Sequence, residues 1–293
     1  MPGQPNQINQ VSQTGGPAAQ TTAAPPARPF SRKPAARRVM LSALATALCW
    51  YALLELVLRG ADQTAYFWQW YRVWPAFFTG EGGGFLSSPF WLGLKLTLLI
   101  SAVSMLLSVA FAVLATAMRL AGGPVARATA IAYVQCVRNI PLLVQIFFIY
   151  FVVAPWLGLS ALSSAIIALS LFEGAYMSEI LRAGVLSIPR GQWEASRSLG
   201  LPDWFTAGKI ILPQAVRHVL PALLNQGVSL IKDSSLASAI AVAELTLQSR
   251  LAVSSTFMSL EIWLTTAAIY LLLCLALTGL ARLLALRLNR GWA

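Results

Sequence analysis

Long apolar stretches dominate the sequence and limit the folds that are open to it. About six stretches carry few charges and reach the roughly 20 residues that a helix needs to cross the hydrocarbon core of a bilayer. They cover residues 39–58, 90–118, 131–154, 161–181, 219–242 and 261–286. Backbone hydrogen bonds inside a bilayer are satisfied only in helices or closed barrels, and these stretches lack the alternating pattern of barrel strands. The sequence therefore predicts an all-α, polytopic membrane protein with about six transmembrane helices.

The distribution of basic residues indicates how these helices are oriented. Arginines and lysines crowd before the first apolar stretch, within residues 28–38, and again after the second, fourth and sixth stretches. The opposite side keeps only Arg59, Arg72 and Arg250. Because loops rich in arginine and lysine stay in the cytoplasm, we expect both termini to be cytoplasmic. The basic residues of the cytoplasmic loops then account for the net charge of +11, and no nucleic-acid partner is needed to explain it.

The two ends of the chain and the first connection have their own compositions. Residues 1–38 are rich in Gln, Thr, Ala, Pro and Gly, which is typical of a disordered tail, and residues 289–293 form a short cytoplasmic end. Residues 60–88 are rich in aromatic side chains. Tryptophan and tyrosine at a membrane exit commonly lie at the level of the lipid headgroups, so we expect an interfacial helix there, with a functional lid as the alternative.

No combination of residues in the sequence is typical of catalysis, a metal site or a cofactor site. His218 is the only histidine, and Cys49, Cys136 and Cys274 lie within apolar stretches without the spacing of a disulfide or a metal site. The sequence also lacks a phosphate-binding loop that ends in Gly-Lys-Ser/Thr. We therefore expect a protein that is not an enzyme and binds no cofactor or metal.

A polar segment, residues 187–215, interrupts the apolar pattern after the fourth stretch. It predicts a short helix over 192–199 that ends at Gly200, and a second helix that is capped by Asp203 and continues until Pro213. We expect this hairpin on the cytoplasmic face, where it could dock a partner protein; the alternative is a loop packed on its own helices. The side chains expected at the docking surface are Trp193, Glu194, Ala195, Ser196, Arg197, Leu199, Gly200 and Leu201.

Part of this segment resembles a known motif. Its residues are Glu194, Ala195 and Ser196, followed at fixed spacing by Gly200, Ile210, Leu212 and Pro213. The pattern is similar to the EAA motif of the permeases of binding-protein-dependent ABC importers, and only Ser196 departs from it, at a position that is usually alanine. The resemblance implies a type I permease fold in which the hairpin couples to an ATPase subunit. It assigns that role to Glu194, Ala195 and Gly200, and we expect Trp193, Ser196 and Leu201 to share it.

Further stretches narrow the resemblance to the polar amino acid permeases of the histidine, glutamine and glutamate type, with the glutamate/aspartate permeases the most similar. They are residues 138–145, 174–184, 212–215 and 232–236. This family implies a core of five helices within residues 89–288, which would make residues 39–88 an N-terminal addition. It also implies the bacterial inner membrane, with lipid around the chain. The implied partners are an ATPase dimer, an identical or related permease chain and a periplasmic solute-binding protein.

Charged residues inside the apolar stretches mark the expected substrate path, because charges in a bilayer are costly and are kept facing the protein interior or water. Pro141 and Pro221 could each expose a backbone carbonyl beside that path, with a simple helix kink as the alternative. For two of the charged residues, Arg138 and Glu179, snorkelling or a structural ion pair is the alternative. The expected path residues are Glu173, Lys232, Arg138, Glu179, Asp233, Asn225 and Gln226.

The sequence thus predicts the permease subunit of an ATP-driven importer of polar amino acids. Glutamate and aspartate are the first choice of substrate, because Lys232 and Arg138 could meet a side-chain carboxylate. The alternative is a secondary transporter driven by an ion gradient, in which Glu173 and Asp233 would carry protons. That alternative leaves the polar hairpin without a role.

Overall fold

The computed structural model describes residues 36–63 and 66–290, and within these ranges the chain is helical and contains no strand. The predicted tail, residues 1–38, lies almost wholly outside the described residues, as do the last three residues of the predicted C-terminal end. Two compact units are present, one ending at Tyr66 and the other beginning at Phe67. The first unit is represented by a single helix, α1 (Ala36–Gln63), which exposes large apolar side chains such as those of Met40, Trp50 and Leu58.

The second unit contains eleven further α-helices among the described residues. In chain order they are α2 (Trp70–Val73), α3 (Pro89–Leu120), α4 (Pro124–Asn139), α5 (Leu142–Phe148), α6 (Ala154–Leu157), α7 (Ala161–Leu186), α8 (Arg190–Ser198), α9 (Asp203–Phe205), α10 (Leu212–Asp233), α11 (Leu245–Thr256) and α12 (Ser259–Arg290). Short π turns join α5 to α6 and α9 to α10 without a break in the helical path, and a 3₁₀ turn extends α10 to Ile240. Four helices, α1, α3, α7 and α12, are long and apolar enough to cross a membrane by themselves.

Two of the predicted spans, residues 131–154 and 219–242, are not single straight helices. The first corresponds to Pro124–Asn139 and Leu142–Leu157, which are bent by 109°, and the second to Asp203–Ile240 and Leu245–Thr256, which are bent by 52°. If each bent pair counts as one span, the described residues contain up to six spans. The predicted number of spans is therefore reached, but the predicted bounds of these two are wrong.

Pro141 causes the first break. A proline has no N–H to donate, and it forces the preceding residue out of the helical region, as the extended backbone of Ile140 shows (φ −106°, ψ 133°). The side chain of Gln145 donates from Nε2 to the carbonyl oxygens of Val137 at 2.8 Å and Ile140 at 2.9 Å. These two carbonyls already have a donor within the chain, in contrast to the expectation of an exposed carbonyl beside Pro141. Pro221 lies inside α10 without ending it.

The second break produces a helix that the apolar pattern does not predict. The 3₁₀ turn Ser234–Ile240 ends at Ala241, which has a left-handed backbone (φ 61°), and α11 begins after Glu244. The Glu244 carboxylate accepts hydrogen bonds from the backbone N–H groups of Thr246 at 2.8 Å and Leu247 at 3.0 Å. An acidic side chain at this position satisfies N–H groups that the first turn of a helix leaves unpaired, so Glu244 starts α11.

The core of the second unit is the contact between α3 and α7, which is built from small and hydroxyl-bearing residues. On α3, Ser108 Oγ lies 3.2 Å from the carbonyl oxygen of Ser170, and Thr116 Oγ1 donates at 3.1 Å to that of Ser178. Between these levels stands Gly174, where an added Cβ would come within 2.8 Å of the Phe111 Cβ. Small residues let membrane helices approach closely enough for such bonds, so α3 and α7 form a tightly packed base for the site.

The aromatic segment, residues 67–88, packs against α11 and α12. Val73 and Phe77 are buried in a cluster with Leu245, Met258 and Ile262. The opposite side of the segment exposes Trp70, Tyr71 and Trp74. The expected interfacial helix is thus no more than α2 and the π turn Trp74–Phe78, and it belongs to the second compact unit rather than to the first.

Candidate functional site

The polar segment 187–215, which we call the coupling segment, folds around a turn at Gly200. Helix α8 ends at Ser198, and Gly200 takes a left-handed backbone (φ 73°). The backbone N–H of Leu201 donates to the carbonyl of Ser196 at 3.1 Å, and that of Gly200 to Arg197 at 2.9 Å. This is the Schellman arrangement that ends many helices, and its left-handed residue is usually glycine. The predicted stop of the first helix at Gly200 is confirmed.

The second half of the coupling segment differs from the prediction. Asp203 does not cap α9 through its side chain; instead its carboxylate accepts from Arg197 Nε at 3.1 Å across the turn. Pro213 does not end the helix either, because α9 passes through the π turn Thr206–Ile211 directly into α10. The wider π turn precedes the proline, whose ring would crowd the carbonyl four residues earlier in a regular α-helix.

The two faces of α8 have different environments. On the inner face, Ser196 is buried and its Oγ donates to the Gln192 carbonyl at 2.8 Å. Trp193 is half-buried on the same side, beside a cluster of Ile188, Ile211 and Ala215. Both side chains therefore contact their own chain, in contrast to the expectation that they face a partner. On the outer face the exposed residues are Glu194, Ala195, Arg197, Leu199 and Gly200, while Leu201 is half-buried.

Trp204 joins this outer surface, although it was not among the predicted docking residues. Its side chain is 75% exposed and that of Leu199 is 77% exposed, so two large apolar groups lie in the open near the Gly200 turn. An exposed apolar pair beside small and charged residues is the composition expected of a protein contact surface. The sequence does contain the signal, since a tryptophan directly after Asp203 in a polar turn has little reason to be there otherwise.

A second group of predicted residues comes together between α7 and α10. Glu173 is fully buried, and its Oε2 accepts from Gln226 Nε2 at 2.6 Å. The other oxygen, Oε1, has no hydrogen-bond partner among the residues that the structure describes. The Asp233 carboxyl group is near enough to interact electrostatically with Glu173. We call Glu173, Gln226 and Asp233 the carboxyl cluster; it concentrates acidic groups and unused acceptor capacity inside the protein.

Lys232 and Asn225 lie at the edge of this region and are exposed. Lys232 lines a cleft of about 260 Å³ together with Ser235, Thr246, Trp263, Thr266, Ala267 and Tyr270. Apart from Lys232, none of these residues was predicted. The cleft combines one ammonium group, several hydroxyl groups and an indole ring, which is a lining able to hold a small polar molecule.

Arg138 and Glu179 lie in a different place from the carboxyl cluster. One Glu179 oxygen, Oε1, accepts from Arg119 Nη1, and the other, Oε2, accepts from Arg182 at 3.0 Å (Nε) and 2.9 Å (Nη2). Arg138 lies over the Tyr176 ring, 5.1 Å from its centroid, with Nη1 3.9 Å from Glu179 Oε1. We call Glu179 and these three arginines the ion cluster. This is the structural ion pair that the sequence left open as the alternative.

Two buried glutamates that the sequence did not single out hold connections between helices together. Glu244 is fully buried and accepts from the Tyr270 hydroxyl at 2.9 Å, in addition to its bonds at the start of α11. Glu261, also fully buried, accepts from the backbone N–H of Gln69 at 2.6 Å. Both carboxylates are engaged by donors on neighbouring elements, so we assign them structural roles. In the part of the chain described, no three His, Cys, Asp or Glu side chains converge in a way that could hold a metal ion.

Comparison with known proteins identifies the family. Residues 108–290 match the model of the inner membrane component of binding-protein-dependent transport systems. The chain belongs to this family. It is therefore a membrane permease of an ABC importer, and it is not an enzyme, since in such systems ATP hydrolysis takes place on a separate subunit.

Individual relatives agree with this assignment. The chain is 36% identical over 224 residues to the glutamine transport system permease protein GlnP of Escherichia coli, covering 75% of this chain and 97% of that protein. It is 42% identical over 160 residues to the L-cystine transport system permease protein TcyB of Bacillus subtilis, covering 54% of this chain and 68% of that protein. The match with GlnP covers more residues than lie between Pro89 and Ala293. It therefore includes part of the segment before Pro89.

Solved structures show the same fold. The crystal structure of an amino acid ABC transporter with histidines superposes with a TM-score of 0.64 and 32% identity, covering 68% of this chain and 94% of that one. A methionine ABC transporter in an inward-facing conformation superposes with a TM-score of 0.58 at 21% identity, a likeness that concerns the fold alone. The predicted all-α permease fold is confirmed.

Proposed function

We propose that this chain carries amino acids across the bacterial inner membrane, with both termini in the cytoplasm. It would work with an ATPase dimer, a second identical or related permease chain and a periplasmic solute-binding protein. The observation that carries the proposal is the outer face of α8, where Glu194 and Ala195 are exposed beside the Gly200 turn while the inner face is fixed to the chain. The relatives with the same fold are named as amino acid permeases, which supports the choice of cargo.

A mechanical route from the coupling segment to the carboxyl cluster through α10 supports the proposal. On the inner face of α8, Trp193 packs against a cluster that includes Ile211, the last residue of the π turn, and Ala215, in the first turn of α10. The same helix carries Gln226, which donates to Glu173, and ends at Asp233. Because a packed helix moves as a rigid element, a displacement of α8 by an ATPase would reach the carboxyl cluster through α10.

The carboxyl cluster and the cleft beside it suit the two charged ends of an amino acid. Glu173 Oε1 is an acceptor without a partner in the described residues, and Asp233 is near it, so an ammonium group could be held there. Lys232 supplies a cation at the edge of the cleft for a carboxylate. The proposed path therefore consists of Glu173, Asp233, Lys232, Asn225 and Gln226. Arg138 and Glu179, which were expected on the path, belong to the ion cluster instead.

Within amino acids, we propose glutamate and aspartate as the first choice, because Lys232 could meet the side-chain carboxylate while the hydroxyl groups of the cleft hold the α-carboxylate. The relatives named for glutamine and cystine provide the obvious competitors. A secondary transporter remains the alternative in principle, with Glu173 and Asp233 as proton carriers. None of the matches described above favours it, since they are all to ABC permeases.

The test is a reconstitution of the chain in proteoliposomes with its ATPase and solute-binding protein. ATP hydrolysis and uptake are measured with glutamate, aspartate, glutamine, cystine and histidine. We expect glutamate and aspartate to stimulate ATP hydrolysis most. Stimulation by glutamine or cystine alone would contradict the acidic preference but leave the importer intact. Uptake that continues on a proton gradient with an inactive ATPase would contradict the importer itself.

The role of α8 is tested separately with Glu194→Lys. We expect the variant to insert normally but to lose substrate-stimulated ATP hydrolysis, because a reversed charge on the exposed face opposes the docking of a partner. Glu194→Gln is the matched control, since it keeps the size of the side chain and removes only the charge. Normal stimulation in Glu194→Lys would refute the docking role.

A further inference from the structure

The ion cluster contains more positive charge than its single carboxylate can balance. Three guanidinium groups, those of Arg119, Arg138 and Arg182, surround Glu179. A fourth arginine, Arg127, donates from Nε to the Arg119 carbonyl at 3.1 Å and so lies beside the group. A carboxylate compensates one of these charges, and an uncompensated charge near the apolar part of a bilayer is unfavourable. The ion cluster therefore has an excess of positive charge that an additional anion would balance.

The hydrogen-bond donors of the arginines are also only partly used. In the described part of the chain, Glu179 engages Nη1 of Arg119 and both Nε and Nη2 of Arg182. Arg138 is too far from Glu179 for a hydrogen bond, at 3.9 Å, and is held mainly by the Tyr176 ring. Each guanidinium group has five N–H donors in a planar fork that suits phosphate oxygens. Unused donors from more than one arginine are thus available at the same place.

The position of the cluster indicates which anion it meets. Arg119 and Arg138 lie in the last turns of α3 and α4, and Arg182 lies near the end of α7. The side chains of Arg138 and Arg182 are 39% and 32% exposed. The ends of α3 and α7 also expose large apolar residues, namely Leu120 and Leu186. Cations accessible beside exposed apolar surface at the ends of membrane helices are placed where lipid headgroups and acyl chains meet.

We propose that the ion cluster binds the phosphate group of an anionic phospholipid. The headgroup phosphate takes the donors of Arg138 and Arg182 that Glu179 leaves unused, and the acyl chains cover the exposed apolar residues nearby. Basic pockets between membrane helices bind anionic lipid headgroups in this way. The site is distinct from the carboxyl cluster, so the inference does not depend on which solute the protein carries.

The experiment uses the full-length chain in complex with its ATPase subunit. The purified complex is mixed with phosphatidylglycerol or phosphatidylcholine, and native mass spectrometry counts the lipid that stays bound. We compare the wild type with Arg138→Gln and with Arg138→Gln/Arg182→Gln. The control is Lys95→Gln, which removes an exposed positive charge near the opposite end of α3. Arg138→Gln breaks no hydrogen bond to Glu179, so it serves as the test if the double variant does not fold.

We expect the wild type to retain phosphatidylglycerol in preference to phosphatidylcholine. Each arginine removed should weaken that retention about fivefold, the usual effect of one basic residue near an anionic membrane surface, and Lys95→Gln should retain lipid as the wild type does. Equal retention of both lipids, or unchanged retention in both arginine variants, would overturn the proposal. So would displacement of the bound lipid by glycerol phosphate alone, because the site would then recognise a free anion rather than a lipid.

Discussion

Substitutions at Gly200 test the role of the coupling segment, because they strain the backbone without causing a steric clash. Its φ of 73° lies in the left-handed region, which other residues rarely adopt. A Cβ added at Gly200 would meet nothing within 4 Å. A substitution there therefore introduces strain in the backbone but no collision. The effect of each variant should follow the left-handed preference of the new residue and not its volume.

The size of the effect follows from that strain. A left-handed backbone costs a residue with a Cβ roughly 1–2 kcal/mol, which shifts the ratio of the native turn to other turns by roughly 5- to 30-fold. Asparagine tolerates this conformation better than alanine, and β-branched valine tolerates it worst. We expect coupling to fall in the order glycine, asparagine, alanine, valine. The turn fixes the direction of α8, so a population of other turns presents Glu194 and Ala195 wrongly to the ATPase.

The assay is substrate-stimulated ATP hydrolysis of the reconstituted complex, normalised to the amount of inserted permease. Gly208→Val is the control, because Gly208 is exposed on the same segment, also has open space around its Cα, and does not have a left-handed backbone. We expect this control to couple better than Gly200→Val. If Gly200→Val couples as the wild type does, or if the order of the variants follows side-chain volume, then the turn does not determine the docking geometry.

Two further predictions concern the buried glutamates. Glu173→Gln should lower uptake more than membrane abundance, since the amide cannot balance an ammonium group although it can still accept from Gln226; uptake kinetics equal to the wild type would assign Glu173 a structural role. Tyr270→Phe removes one donor from the buried Glu244 carboxylate and should destabilise the detergent-solubilised protein by about 1–3 kcal/mol, measured as a lower thermal midpoint. An unchanged thermal midpoint would mean that the hydrogen bonds from the start of α11 stabilise the buried Glu244 carboxylate without the help of Tyr270.

The fold was predicted well where hydrophobicity alone determines it. Helices such as α3 and α7 must be long and apolar to cross a membrane, and their positions were therefore visible in the sequence. The breaks were not visible, because they depend on polar partners. Gln145 satisfies the carbonyls that Pro141 leaves free, and Glu244 starts α11 between the predicted stretches 219–242 and 261–286. A hydropathy pattern contains no information on such pairings.

In the candidate site, too, the sequence located the residues but did not reveal their side-chain contacts. The motif located the coupling segment along the chain, but the burial of Ser196 depends on contacts with residues that follow the turn. Ser196 stands at the one position that departs from the motif, and its hydroxyl bonds within its own helix. The departure is therefore explained by packing inside this chain, without reference to a partner. The division of the charged residues into two clusters likewise required the structure, since Arg119 and Glu179 meet only when α3 and α7 pack.

The continuity of α10 links these separate findings in the transport mechanism that we propose. The sequence predicted an interruption at Pro213, which would have let the coupling segment move independently of the membrane helices. The structure instead has an unbroken helical path from Asp203 to Ile240. Along this path Ala215, which belongs to the cluster that Trp193 of α8 packs against, and Gln226, which donates to Glu173, are separated by roughly 16 Å at the rise of an α-helix. Pro221 lies within this path and removes one helical hydrogen bond without ending the helix. If an ATPase docks on α8 as we propose, a displacement applied there would reach the carboxyl cluster along this path.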